Sequence, residues 1–274
     1  MKAVAEVVII GAGIIGTSIA YHLAKAGCHD VVVLEKDAIG MGSTAKCGGG
    51  IRKQFSTEVN IGLSIESVEF FEHFEEETGH VPDFRQYGYL MLATTESEMD
   101  AFRRNVALQQ ELGVDVYLLS PHEAKEVVPQ LNIEDILGAT YCPTDGVADP
   151  YSVVQGFAST ARRLGVKIYE GVEVTGMKLA GSRVQGVLTS KDEIGTPVVV
   201  NAAGPYAGQV GKMVSLDIPI CVTKRHAFFT GPSDKIRKDV PFILDLHTGF
   251  VLRREGPVIM FGMREDNALE TFDT

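Results

Sequence analysis

Ala5-Glu6-Val7-Val8-Ile9-Ile10 runs straight into Gly11-Ala12-Gly13-Ile14-Ile15-Gly16, and a second apolar run, Val31-Val32-Val33-Leu34, ends at Glu35. Strand, glycine turn, helix and a second strand closing on an acid make one βαβ unit with the pattern of a dinucleotide-binding fingerprint. Gly11 permits the tight strand-to-helix turn, Gly13 lets backbone approach a pyrophosphate, and Gly16 lets helix and strand pack closely. The amides of Ile14 and Ile15, at the positive end of the helix dipole, supply the anion site. Glu35 follows Gly16 by 19 residues, a spacing at which an acid accepts hydrogen bonds from adenosine ribose hydroxyls. Apolar residues at helical spacing (Ile15, Ile19, Leu23) carry the helix to Ala26, and Gly27 stops it.

Downstream, the turn-rich stretch from Gly40 to Gly50 separates this unit from an amphipathic segment, Ser56 to Thr78, which predicts one helix burying Val59, Leu63, Phe70, Phe71 and Phe74. A strand is expected from Tyr87 to Ala93 and a helix from Glu96 to Leu112. Ser120-Pro121-His122-Glu123 reads as a capping box with proline at the first helical position. Asp149-Pro150 opens a helix reaching Leu164, and Val172–Leu179 with Arg183–Thr189 forms a hairpin. The valines 198–200 read as a further buried strand whose end, Asn201-Ala202-Ala203-Gly204-Pro205, is delivered to a ligand. From Ile218 onward the pattern is mostly extended. No internal repeat or low-complexity linker breaks the chain, so a discontinuous two-domain layout fits better than two domains in series.

Composition narrows the classes. The 274 residues can bury a substantial core, and 45% hydrophobic with 22% charged residues is ordinary for a soluble globular protein. A net charge of −11, with no basic patch, argues against nucleic acid and anionic membrane as partners. No apolar run approaches a membrane span and no signal-peptide pattern precedes the first strand, so the cytoplasm is the expected compartment. Cys28, Cys47, Cys142 and Cys221 form no CxxC pair, which argues against a zinc site or disulfide framework and for reduced, mostly buried thiols. The histidines show no metal-ligand spacing, and no metal is expected.

The fingerprint alone leaves NAD and FAD both open. Later motifs separate them: Gly42-Ser43-Thr44, then Cys47-Gly48-Gly49-Gly50-Ile51-Arg52-Lys53-Gln54-Phe55, then Asp145-Gly146 with Asp149-Pro150, then Val199-Val200-Asn201-Ala202-Ala203-Gly204-Pro205. With these the chain resembles the FAD-dependent amino-acid oxidase superfamily, in the branch of sarcosine oxidase β subunits, proline dehydrogenase β subunits and glycine oxidase. The resemblance implies an α/β fold, with a Rossmann-like FAD-binding domain (1–85 and 140–215) and a discontinuous, mostly antiparallel α+β substrate domain (86–139 and 216–274). Members of the branch run on beyond this length, which implies a substrate domain incomplete at its C-terminal side.

The expected FAD contacts are Gly11, Gly13, Ile14, Ile15, Gly16, Glu35, Lys36, Ser43, Thr44, Cys47, Gly48, Gly49, Gly50, Val174, Ala203 and Gly204. Glycines 48–50 would let backbone meet the flat ring system, and Ser43 and Thr44 offer hydroxyls to phosphate or ribityl groups. Val174 is the family's adenine-contacting valine or simply a core strand residue. Arg52, directly after the glycine run, suits bidentate capture of a substrate carboxylate, the alternative being a salt bridge to one of the chain's 36 acids. Lys224-Arg225-His226 reads as a solvated face, and Phe250 loosely matches a substrate-pocket tyrosine. The implied activity is oxidation of the C–N bond of a small secondary or N-methyl amino acid (sarcosine-, glycine- or proline-like) by hydride transfer to flavin, with partner subunits a further implication. A 2-hydroxy-acid dehydrogenase and a non-catalytic flavin-binding subunit or fragment are the alternatives.

Overall fold

A computed structural model describes residues 1–265 and 270–272. The first elements are β1 (Val7–Ile10), α1 (Ile14–Lys25), β2 (Val31–Leu34), β3 (Gly50–Ile51), α2 (Glu58–Glu72), α3 (Phe74–Thr78), β4 (Tyr89–Ala93) and α4 (Glu96–Glu111). They are followed by β5 (Tyr117–Leu119), α5 (Pro121–Val127), β6 (Gly138–Cys142), β7 (Gly146–Val147), α6 (Pro150–Arg163), β8 (Lys167–Tyr169), β9 (Val174–Ala180) and β10 (Arg183–Thr189). The remainder comprises β11 (Glu193–Gly195), β12 (Val198–Asn201), α7 (Ala207–Lys212), β13 (Ala227–Phe229), β14 (Phe242–Asp245), β15 (Val251–Glu255) and β16 (Val258–Gly262).

Four parallel strands in the order β12-β1-β2-β8 form the first sheet. Strand alternation divides its apolar run between two cores. Val7, Ile9, Val31 and Val33 pack with Tyr21, Val153, Val154 and Phe157 of α1 and α6, whereas Val8, Ile10, Val32 and Leu34 pack with Val174, Val187 and Ile194 of the three-stranded sheet β11-β10-β9. Covering both faces explains why these strands read as unbroken valine and isoleucine. The chain is thus α/β around a Rossmann-like parallel sheet, with mainly antiparallel sheets beside it.

A seven-stranded sheet, β13-β16-β15-β14-β4-β6-β5, makes the second layer, all pairings being antiparallel except β14 with β4. One face packs Leu90, Leu92 and Ile243 on α5. The other packs Met91 and Ala93 with Met99 and Phe102 of α4. Both Thr95 and Ser120 close full capping boxes, with Glu98 and Glu123, as expected at Ser120. β6 lies wholly in this sheet and spans the expected 139/140 boundary.

Two helical expectations are corrected. The segment 56–78 is two helices, broken at His73, and Val59 and Leu63 are 72% and 63% exposed while Ile61 and Val68 are buried. The segment carries two apolar stripes, and periodicity alone could not say which one meets the core; Phe70 and Phe74 do join Tyr21 and Phe157 in an aromatic cluster. In α1 the inward face is Gly16, Thr17, Ala20, Tyr21 and Ala24, with Ile15 turned out, because small side chains let the helix lie close to the sheet. The thiols also differ from expectation: all four are free, but Cys47 and Cys221 are exposed and only Cys142 is buried.

Candidate cofactor and substrate site

The fingerprint glycines are fixed by sterics that the structure makes explicit. Gly11 has φ +103°, and a Cβ there would fall 2.4 Å from the Ala202 carbonyl oxygen. At Gly16 a Cβ would lie 1.9 Å from the Gly11 carbonyl oxygen, so helix and turn leave no room for a side chain. Gly13 is different: its backbone is extended (φ −75°, ψ −172°), and its only close neighbour is Thr44 Oγ1, 3.1 Å from an added Cβ. Fold does not demand glycine at 13, which leaves close approach by a ligand as the reason for it.

Around this turn, Gly40 N–H donates to the Ala12 carbonyl and folds the following loop back, so that Thr44 Oγ1 accepts from the Ile14 amide at 3.1 Å. Ile14, expected to face phosphate directly, is therefore capped by Thr44. Among the described residues no acceptor pairs with the amides of Gly13 and Ile15, which remain for an anion at the helix start. Glu35 accepts the Ala12 amide (2.8 Å) on one carboxylate oxygen and the Asp37 amide (2.9 Å) on the other. That fixes its orientation, and a carboxylate has further lone pairs for ribose hydroxyls. Lys36 Nζ stands 3.6 Å from the Tyr206 ring centroid. Burial works against its charge, but Tyr206, Asp37 and Glu173 outweigh that and raise its pKa.

Val174 is buried among Val8, Ile10 and Leu34 at the start of β9. The Ala202 carbonyl bears on Gly11, and Gly204 has φ +53° with open space where a Cβ would be, so β12 does bring its end to the fingerprint turn. A dinucleotide's diphosphate and ribose thus fit this end of the parallel sheet, by a cradle free of side chains, unpaired amides and an oriented carboxylate.

Glycines 48–50 lie across the seven-stranded sheet, held by pairing of Gly50 with Val147 and Ile51 with Gly146. Here the need for glycine comes from the protein itself. Added Cβ atoms would fall 3.1 Å from Met260 Cε at Gly48, 2.3 Å from the Ala148 carbonyl oxygen at Gly49, and 2.0 Å from the Tyr89 hydroxyl at Gly50. Tyr89 stacks on Phe242 at 4.4 Å beneath this strand, and burial raises its pKa. Ser43 and Cys47 are exposed in the loop between the two glycine clusters.

Arg52 leaves the strand half-buried, with Nη1 4.0 Å from Met91 Sδ and its guanidinium 4.7 Å from the Phe55 ring centroid. Among the described residues no carboxylate pairs with it. The salt-bridge alternative is therefore not what the structure shows, and an uncompensated cation beside the glycine strand is left to meet an anionic ligand. Arg225 and His226 are exposed and engage Glu265, Lys224 is half-buried, and Phe250 sits in the β14–β15 turn.

Sequence reasoning missed the network that seats Arg52. Asp145 is fully buried; it accepts the Lys53 amide at 2.8 Å and Gln54 Nε2 at 3.1 Å, while Gln54 also donates to the Tyr89 carbonyl and accepts from Thr140 Oγ1. Burial raises the Asp145 pKa, against the lowering effect of these donors. The only signal was the Asp145-Gly146 pair, which stood among the motifs of the resemblance with no role attached to the aspartate. A raised native pKa means that the folded state holds this proton to higher pH than the unfolded chain. Stability attributable to Asp145 is therefore greatest at acid pH and falls as pH rises through the window from its unfolded to its folded pKa. Asp145→Asn should remove that segment of slope when unfolding midpoints are measured across acid pH; an unchanged slope would assign the titration elsewhere.

Among the described residues there is no group of three or more metal-ligating side chains, and no helix is long and apolar enough to cross a membrane. Comparison with known proteins agrees with the geometry. Rat mitochondrial dimethylglycine dehydrogenase is 36% identical over 265 residues, 95% of this chain and 31% of that protein. A mouse protein, the mitochondrial regulatory subunit of pyruvate dehydrogenase phosphatase, is 32% identical over 99% of this chain and 31% of its own length. The chain spans about a third of the length of these curated relatives. Among solved structures, L-proline dehydrogenase from P. horikoshii superposes with a TM-score of 0.91 at 37% identity, covering 100% of this chain and 73% of that one. The family described as DAO, FAD dependent oxidoreductase, matches residues 6–274, and the chain belongs to it.

Proposed function

We propose that this chain is the FAD-binding and substrate-orienting part of an enzyme that oxidises the C–N bond of a small secondary or N-methyl amino acid. The observation that carries the reading is Arg52, a half-buried guanidinium with no carboxylate partner among the described residues, next to the glycine strand. FAD, when bound, supplies the two-electron acceptor. The chain's own residues do the rest: amides at the start of α1 and Glu35 hold the dinucleotide, and Arg52 fixes the substrate carboxylate. Asp145 and Gln54 fix the backbone on which Arg52 stands. The relatives support this substrate class, because one is named for an N-methylated amino acid and another for proline, a secondary amine.

Site residues Gly11, Gly13, Ile15, Gly16, Glu35, Lys36, Thr44, Ala203 and Gly204 belong to the adenosine and diphosphate end in this reading. Ser43, Cys47 and glycines 48–50 line the ring end. The parallel sheet with β9–β11 is the cofactor unit and the seven-stranded sheet the substrate unit. Four unpaired cysteines support a reducing compartment such as the cytoplasm. A second reading, a flavin-binding chain without catalysis that serves a partner subunit, is favoured by the likeness to the phosphatase regulatory subunit.

Anaerobic bleaching of the FAD-loaded protein decides between them. Sarcosine, dimethylglycine and proline are expected to bleach the flavin, and 2-hydroxy acids are not. Bleaching by hydroxy acids alone would replace the amine reading, and a protein that holds FAD but is bleached by no member of the panel would favour the non-catalytic one.

A further inference from the structure

The segment 48–51, whose end β3 pairs with β7, lies as a bar across the seven-stranded sheet and gives it two sides. Arg52 stands on one side, over Met91. The row beneath the bar is Met260, Arg253, Phe242 and Tyr89: Met260 pairs with Arg253, Phe242 pairs with Tyr89, and continuing the β14–β15 register by one residue sets Phe242 opposite Arg253. On the side away from Arg52 a cleft of about 260 Å³ opens between the β15–β16 turn, the segment 83–87 and Val147–Asp149.

Four cations line this cleft, Arg85, Lys238, Arg253 and Arg254, in a chain whose net charge is −11. Three acids also line it, Asp83, Asp149 and Glu255, and Arg254 is taken up by Asp234 and by the Ile236 and Gly256 carbonyls, which leaves Arg85, Lys238 and Arg253 to meet a ligand. Asp149 is occupied in capping α6, accepting the Ser152 amide at 2.8 Å and the Ser152 hydroxyl at 2.6 Å. Asp83 takes Arg85 Nε, leaving that guanidinium's terminal nitrogens, and Glu255 takes one nitrogen of Arg253. Lys238 is exposed, with no acceptor among the described residues.

Arg253 is the informative member. It is 8% exposed, and its Nε is buried with no hydrogen-bond partner. Burial also pushes its pKa down, opposed only in part by the groups around it, of which Asp149 is the carboxylate. A guanidinium this buried costs stability unless its charge and donors are met.

We propose that this cleft binds a small oxyanion of the phosphate class, at a site separated from Arg52 by the glycine strand. A tetrahedral dianion can take donors from several directions at once, which suits arginine forks and a lysine arriving from three chain segments better than a planar monocarboxylate would. The site stands independently of the substrate assigned to Arg52.

Calorimetric titration of inorganic phosphate into the full chain, with FAD in saturating excess so that the fingerprint is filled, tests it. One saturable site in the region of about 1 mM is expected at low ionic strength. Lys238→Gln and Arg85→Gln, both surface changes, should each weaken it about fivefold, and Arg52→Lys should not move it. Arg253→Met should abolish it; if that variant fails to fold, the two surface variants still decide. Absence of saturable binding, binding unmoved by both surface variants, or tighter binding of succinate than of phosphate would each overturn the assignment.

Discussion

Replacing Gly16 with alanine is expected to cost the fold before it costs the cofactor, and replacing Gly13 with valine the reverse. A methyl at Gly16 would stand 1.9 Å from the Gly11 carbonyl oxygen and 3.0 Å from its carbon, both backbone atoms of the turn that α1 packs on. Neither can give way unless α1 lifts from β1, so a loss of about 3 kcal/mol in unfolding free energy is expected. A Cβ at 13 meets only the Thr44 hydroxyl, which has to give by a few tenths of an ångström, and the backbone there is one any residue adopts. Valine should leave the unfolding midpoint nearly unchanged while weakening FAD by roughly a hundredfold, because its methyls occupy the approach to the pyrophosphate. Urea unfolding and FAD titration on both variants read the two effects separately. Equal losses of stability and affinity in both variants would remove the distinction.

Arg52 carries the other large effect. Its charge meets sulfur and an aromatic face, with no carboxylate partner among the described residues. Arg52→Ala should therefore leave stability and FAD content close to wild type. The same change should weaken an amino-acid substrate or its carboxylate analogue by about 2–5 kcal/mol, the scale for truncating a charge-assisted pair. Arg52→Lys should recover only part, since an ammonium offers a point charge in place of a planar fork. The measurement is the reductive half-reaction, with substrate dependence and limiting rate separated. If both variants keep wild-type affinity and rate, the residue is structural.

Much of this was legible in the sequence because local constraints were strong. The run Val7–Ile10, the glycine turn and Glu35 each have one physical use in combination, and β1, α1 and β2 formed as read. Strand Val198–Asn201 was also legible, since an unbroken valine run ending in Ala-Ala-Gly has few settings other than a buried parallel strand reaching a turn. Less visible were features that depend on distant partners. Whether Val59 or Ile61 faces inward in α2 is set by Val106 of α4, Val114 and Val116 of the segment after it and Cys142 of β6, far away in sequence. Likewise, Asp145 looks like any turn aspartate until β6 and the segment after Arg52 close over it.

The glycines at 48–50 are the instructive case. They mark a close approach, but the atoms approaching are Tyr89, Ala148 and Met260 of the same chain. Sequence revealed the absence of side chains without revealing what fills the space. Arg253 gave no signal at all, because a single arginine in an extended segment is usually exposed, and only the register of β15 against β16 turns it inward.

The central claim is that the cradle formed by Gly11–Gly16, Glu35 and the loop through Gly50 is an FAD site. Equilibrium titration of the folded chain with FAD, followed by flavin absorbance and fluorescence, with NAD titrated in parallel, tests it most directly. One FAD per chain, undisturbed by excess NAD and lost in Gly13→Val, is the predicted result. A chain that is folded by circular dichroism yet binds NAD and no FAD, or binds FAD equally well with valine at position 13, would contradict the account.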